Sequence, residues 1–176
     1  MKKVALSVSY NGAPYHGWQY QKENVQTVQG LLEDALSKIA NSPIRVGCAG
    51  RTDAGVHATN QIVEFSTNSD RDMEAWVYGT NSNLPESISV NCGALVPNSF
   101  SARHSAFSRR YLYVIYNSPI RSALLPEYLY REHRQLDHEK MHEAAQFLVG
   151  EKDFTSFRAS KCQSSTAMRN VLSVRV

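Results

Sequence analysis

Gly50-Arg51-Thr52-Asp53-Ala54-Gly55-Val56-His57 lies between two stretches rich in branched apolar residues, Ile44–Ala49 and Gln61–Thr67. Its two glycines permit backbone angles that other residues avoid, so the octapeptide reads as a tight turn joining two adjacent strands. Asp53 has two readings there. It is either a turn residue that caps an amide while Gly55 supplies positive φ, or a reactive carboxylate. Between Asp34 and Glu64 it is the only acid, set against Lys38, Arg45 and Arg51. A neighbouring guanidinium favours the ionised state that a nucleophile needs.

Outward from this turn the elements alternate. Lys3–Tyr10 alternates apolar and polar residues, as a half-buried strand does. A loop over Asn11–Val25 follows, broken by Gly12, Pro14 and Gly17. Thr27 is placed to cap a helix with Val28, Leu31, Leu32, Ala35, Leu36 and Ile39 on one face, and Asn41-Ser42-Pro43 stops it. Beyond the turn, Ser69 is expected to cap a short helix through Ala75 and Val77, and Ile88–Val96 is a further strand. The order β-α-β-β-α-β over residues 1–98 is that of a ferredoxin-like half, an α+β arrangement with a mainly antiparallel sheet.

A second run occupies residues 99–176. Phe107–Tyr116 is rich in aromatic and branched residues and reads as a strong strand, with Tyr111, Tyr113 and Ile115 on one buried face. Asp137 is expected to cap a helix carrying Met141, Ala144, Ala145 and Leu148 and ending at Gly150; Asn170–Val176 is strand-like. This run has made only β-α-β when the sequence stops, so it reads as an incomplete second half of a longer polypeptide. An unpaired edge and an open face would otherwise remain.

The net charge of +3 says little, but its distribution says more. No acid lies between Glu86 and Glu127, where Arg103, Arg109, Arg110 and Arg121 fall; none follows Asp153, where Arg158, Lys161, Arg169 and Arg175 stand. Together with the basic window around Asp53, this favours a polyanionic partner, since Arg and Lys contacts to phosphate carry most nucleic-acid affinity. Cys48, Cys92 and Cys162 are far apart, as reduced thiols in a reducing compartment would be. No apolar stretch has the length of a membrane span or a signal h-region, so the expectation is a cytoplasmic protein without membrane association.

Several motifs in order resemble the TruA-type tRNA pseudouridine synthases: Tyr10-Asn11-Gly12 with Tyr15-His16-Gly17-Trp18-Gln19, Thr27-Val28-Gln29-Gly30-Leu31-Leu32-Glu33, the octapeptide Gly50–His57 residue for residue, Phe100-Ser101-Ala102-Arg103 with Arg109-Arg110-Tyr111, and Asp153-Phe154-Thr155-Ser156-Phe157. Asn11 and Tyr15 stand where the family more often has Asp and Phe. The resemblance implies a pseudouridine synthase fold of two ferredoxin-like halves, the second incomplete here. It implies an isomerase converting uridine to pseudouridine at positions 38, 39 and 40 of the tRNA anticodon arm, working as a homodimer with no cofactor and no metal. It implies Asp53 as the group that starts the reaction, by attack or by proton abstraction. Tyr111 would stack on the target base, Arg51 would enter the stack, and His57, Arg103, Arg109 and Arg110 would bind substrate. Extruding the nucleotide costs about a few kcal/mol. In the family a further C-terminal section brings a basic residue that pairs with the aspartate; this sequence stops before it.

Two other readings compete. His138-Glu139-Lys140-Met141-His142 fits H-E-x-x-H, the zinc-protease signature, although no G-x-x-H follows and the later acids, Glu151 and Asp153, are too close for the usual third ligand. The β-α-β-β-α-β order also fits a non-catalytic RNA-recognition module. Such modules stack bases on strand aromatics, and Gln61–Thr67 offers only Phe65.

Overall fold

A computed structural model of the chain describes residues 1–22, 25–158 and 165–176. Lys161, Cys162 and part of the 11–25 loop lie outside the described residues. The chain divides into two compact units, Met1–Leu112 and Tyr113–Val176.

The first unit is built on alternation. Strand β1 (Lys2–Tyr10) turns Val4, Leu6, Val8 and Tyr10 to one side, where all four are buried. It pairs antiparallel with β3 (Ala58–Thr67) on one side and β4 (Ile88–Val96) on the other; β2 (Gly47–Cys48) pairs antiparallel with β3, giving the order β2-β3-β1-β4. Helix α1 (Val28–Ala40) covers the apolar side with Val28, Leu32, Ala35 and Leu36. Thr27 caps it as expected, its hydroxyl accepting from the Gly30 amide at 3.2 Å, and Asn41 ends it in the left-handed conformation. Leu32 and Leu36 are wholly buried, so truncating either to alanine removes about 2–5 kcal/mol. A π-helical turn (Ala75–Gly79) puts Trp76 against Phe65, ring centres 5.0 Å apart.

Three local expectations are corrected. Ile44–Ala49 is not one strand: only Gly47 and Cys48 pair with β3, because the Ile44 and Val46 amides donate instead to the Ser37 hydroxyl (2.9 Å) and the Glu33 carboxylate (3.0 Å) of α1. Ser69 does not cap the next helix. Its hydroxyl donates to the carbonyl of Ala40, and Asp72 is the cap, accepting from the Ala75 amide at 2.7 Å. Phe107–Tyr116 is not a strand along its length. Strand β5 covers only Ile115–Asn117, and Phe107, Tyr111 and Tyr113 are exposed, so the expected buried face is not formed. Strand-favouring residues express that preference only against a neighbour that covers them.

Residues 98–110 follow the outer face of the sheet. The Lys3 ammonium donates to the carbonyls of Asn98 (3.4 Å) and Phe100, and the Ala102 amide donates to the Glu64 carboxylate. These bonds tie residues 98–110 into the first compact unit, Met1–Leu112.

Among the described residues the second unit holds two small sheets. Strand β5 runs parallel to β6 (Tyr130–Glu132), and β7 (Gly150–Asp153) runs antiparallel to β8 (Met168–Val171). Asp137 caps α2 (His138–Gln146) as expected, accepting from the Lys140 amide at 3.1 Å. The helix stops at Gln146, before the expected Gly150, which opens β7 at φ 98°. No residue of α2 is buried. Among the described residues, no helix is long and apolar enough to cross a membrane.

Candidate active site

The octapeptide leaves the sheet between β2 and β3 and is gripped from three directions. From below, Gln61 in β3 uses both ends of its amide on Gly50: Oε1 accepts from the Gly50 amide at 3.2 Å and Nε2 donates to its carbonyl. Gln61 is buried, so these bonds stand in for the backbone pairing that ends at Ala49, whose amide donates to Ile62 at 2.9 Å. The Tyr10 hydroxyl lies 2.9 Å from the Thr52 hydroxyl. Burial pushes the Tyr10 phenol above its ordinary range, so it stays protonated.

From the side, the 11–18 segment closes on the loop. The Trp18 amide donates to Thr52 at 2.9 Å, the Gly55 amide to Tyr15 at 3.4 Å, and the Gly12 amide to the His57 Nδ1 at 3.1 Å. Gly17 sits at φ 90°, and a Cβ there would lie 2.9 Å from the Thr52 carbonyl oxygen. Inside the loop the Val56 amide donates to the Asp53 carbonyl at 3.2 Å, with Gly55 at φ 77°. The turn reading of the sequence is therefore correct in its geometry, yet the Asp53 side chain remains exposed.

From the third direction comes the 103–110 segment. The Arg109 guanidinium donates to the Ala49 carbonyl from Nε (3.0 Å) and Nη2 (2.6 Å), and Nη2 also reaches the Arg103 carbonyl at 3.2 Å. Arg51, Arg103 and Arg109 all act electrostatically on Cys48. Burial raises that thiol above its ordinary range, while the three arginines pull it down. Three of the arginines singled out in the sequence thus converge at the end of β2. Arg103, Arg109 and Arg110 are exposed, and Tyr111 follows them with 83% of its surface open. The structure brings Arg51, Asp53, His57, Arg103 and Arg109 to one edge of the first unit. The Arg109 guanidinium is held by the protein's own backbone.

The sequence profile of tRNA pseudouridine synthases matches residues 6–104, more than half of the chain, and spans the octapeptide and the strands that carry it. The chain belongs to the tRNA pseudouridine synthase family. It is 55% identical over 169 residues to tRNA pseudouridine synthase A of Actinobacillus pleuropneumoniae serotype 3 (strain JL03), covering 96% of this chain and 64% of that protein. It is 58% identical to the enzyme of the same name from Glaesserella parasuis serovar 5 (strain SH0165), with the same coverage. With that from Vibrio vulnificus (strain YJ016) it shares 52% over 174 residues, 99% of this chain and 66% of that protein. The chain thus spans about two thirds of the length of the curated relatives it matches.

Against this family membership the two rival motifs carry little. Phe65 is 2% exposed and packs on Trp76, so it belongs to the core and offers no face to a base. His138 and His142 both lie in α2, where the His142 Nδ1 accepts from the Val176 amide at 3.3 Å. Among the described residues, no three His, Cys, Asp or Glu side chains gather where they could hold a metal ion. The residues that sequence reading missed are the supports: Tyr10, Gln61 and Glu64. A glutamine and a glutamate on either side of Ile62-Val63 in β3 were the available signal.

Proposed function

We propose that the protein of which this chain is part isomerises uridine to pseudouridine in tRNA, with Asp53 as the group that opens the reaction. One observation carries the reading: within this family, an exposed carboxylate sits on a loop held from three sides, beside converging arginines. A reacting group must be held near its productive geometry, and a loop pinned to a sheet and to two flanking segments does that better than a free hairpin. The isomerisation breaks the bond from ribose to the base nitrogen, turns the base, and rejoins it through ring carbon. It is redox-neutral and calls for no cofactor. Asp53 acts either by attack on the nucleoside or by taking a ribose proton.

A stacked nucleotide is out of a carboxylate's reach, so the target uridine must leave its helix. In this reading Arg51, two residues before Asp53, takes its position, and Tyr111, whose ring is exposed, stacks on the extruded base. Arg103 and Arg110 neutralise phosphate, and His57, anchored on Gly12, lines the approach. The anticodon arm, positions 38 to 40, is the target; the enzyme works as a cytoplasmic homodimer. The strand order β2-β3-β1-β4, all antiparallel, supports a ferredoxin-like first half, and residues 99–176 begin a second half of the same kind.

The test is a primer-extension map of pseudouridine in tRNA treated with the full-length protein, its Asp53→Asn variant and this 176-residue chain. Pseudouridine in the anticodon arm with the parent and none with Asp53→Asn, at similar tRNA affinity, is expected. Equal conversion by the variant overturns the role of Asp53, and conversion only elsewhere in the tRNA overturns the target.

A further inference from the structure

We infer that Glu33, on the first turn-and-a-half of α1 and outside the site just described, is the positioning residue that holds the Asp53 loop in its reactive geometry. The inference rests on the reading of Asp53 as the reacting group. Glu33 is 3% exposed on the apolar side of the helix, where an ionised carboxylate is expensive unless every oxygen is satisfied. Three donors surround it. The Val46 amide and the Gln29 Nε2 donate to Oε1 at 3.0 and 2.9 Å, and the Arg45 guanidinium donates to Oε2. None of the three can accept in return. The orientation of Gln29 is fixed independently, because its Oε1 accepts from the Tyr20 amide at 3.0 Å, so its NH2 must face Glu33.

These bonds lead to the loop by two routes. Val46 precedes β2, the strand that feeds directly into Gly50, and its amide has Glu33 as partner in place of a strand neighbour. Gln29 leads to the segment that grips the loop from the side. Its side chain holds Tyr20, its backbone amide donates to the Trp18 carbonyl at 3.0 Å, and the Val28 amide donates to Gly17 at 3.3 Å. Trp18 in turn donates to Thr52, the residue before Asp53. Arg45 closes the circuit by lying 5.3 Å from the centre of the Tyr20 ring. One buried carboxylate therefore ties together the strand entering the loop and the segment behind it.

A purely structural glutamate would alter stability alone. A positioning residue alters turnover at constant affinity, and it alters the mobility of the loop more than that of the sheet. Glu33→Gln nearly preserves shape but offers one accepting oxygen to three donors, so one arm must release. In the full-length protein, kcat for pseudouridine formation is expected to fall by about 10- to 100-fold, the scale of a small misplacement of a reacting group. Binding of tRNA should stay within about twofold, and amide exchange should accelerate in residues 46–57 but not in β1 or β4. Gln29→Met, which cuts only the Tyr20 arm, serves if Glu33→Gln does not fold, and should produce a smaller loss of kcat in the same direction. Unchanged kcat in the folded variant, or a loss confined to tRNA affinity, overturns the inference alone. A parent protein that forms no pseudouridine, or an active Asp53→Asn variant, overturns the reading of Asp53 and the inference together.

Discussion

Arg109 grips the carbonyl of Ala49, with Nε at 3.0 Å and Nη2 at 2.6 Å from the same oxygen, and Nη2 also reaches the carbonyl of Arg103. A positive side chain in an acid-free stretch thus serves as a strut at the point where β2 enters the loop. Lysine keeps the charge but lacks the planar fork that meets two carbonyls at once. Arg109→Lys should lower stability to urea by about 1 kcal/mol or less, in keeping with net hydrogen-bond contributions at an exposed site. Unfolding curves that superimpose on the parent's would show that the strut carries no weight.

Arg103 and Arg110 have no such duty among the described contacts of their guanidinium groups, and they are exposed. Replacing each by glutamine should weaken tRNA binding and reduce the slope of log affinity against log salt by about one per residue. Arg109→Gln should change the slope less, because its charge is already held against the backbone. Filter binding across a salt series distinguishes these outcomes, and three equal slopes would contradict the assignment.

Gly17 and Gly55 both have positive φ, but only Gly17 is crowded. A Cβ there would sit 2.9 Å from the Thr52 oxygen, whereas none lies within 4 Å at Gly55. Gly55→Ala should cost about 1–2 kcal/mol from conformation alone. Gly17→Ala should cost more, since it adds a collision to the same strain. Thermal unfolding of the two variants side by side tests the ranking.

Glu132 gives the second unit a dependence on acid. The Arg134 side chain donates to both of its carboxylate oxygens, at 3.0 and 2.9 Å, and the Arg134 amide donates at 2.9 Å. With His133 also close, these hold its pKa at about 2, against an ordinary 4.5. A carboxyl whose folded value is depressed contributes stability above its unfolded value and loses it as the pH falls through the folded value. The second unit should therefore weaken progressively from about pH 4.5 to about pH 2. Glu132→Gln should flatten that part of the profile, and an unaltered acid limb would reject the role of this pair.

The parts of the fold legible in the sequence were those in which one short-range rule decides. Thr27 caps α1, and the alternation of β1 puts Val4, Leu6, Val8 and Tyr10 inside. Asp137 caps α2 in the same way. The octapeptide was legible as a turn, and its meaning came from resemblance, since a glycine-flanked aspartate has an ordinary structural use. What was not legible depended on distant partners. Ile44 and Val46 have strand character, but their amides are claimed by α1 side chains. Phe107 to Val114 carry strand-forming residues with no strand beside them among the described residues. Ser69 and Asp72 are both plausible caps, and the free carbonyl of Ala40, remote in sequence, took the hydroxyl of Ser69. Glu33 and Gln61 read as unremarkable polar residues until their neighbours were known.

Gly12 lies tight against the loop, for a Cβ there would overlap the Val56 carbonyl. The two backbones fit like a key already turned in its lock, and neither surface has a shape of its own. Grafting residues 50–57 onto a foreign hairpin would carry across the chemistry without the mould that forms it. Drift in either stretch would have to be answered in the other, so the pair must be inherited, borrowed or engineered together.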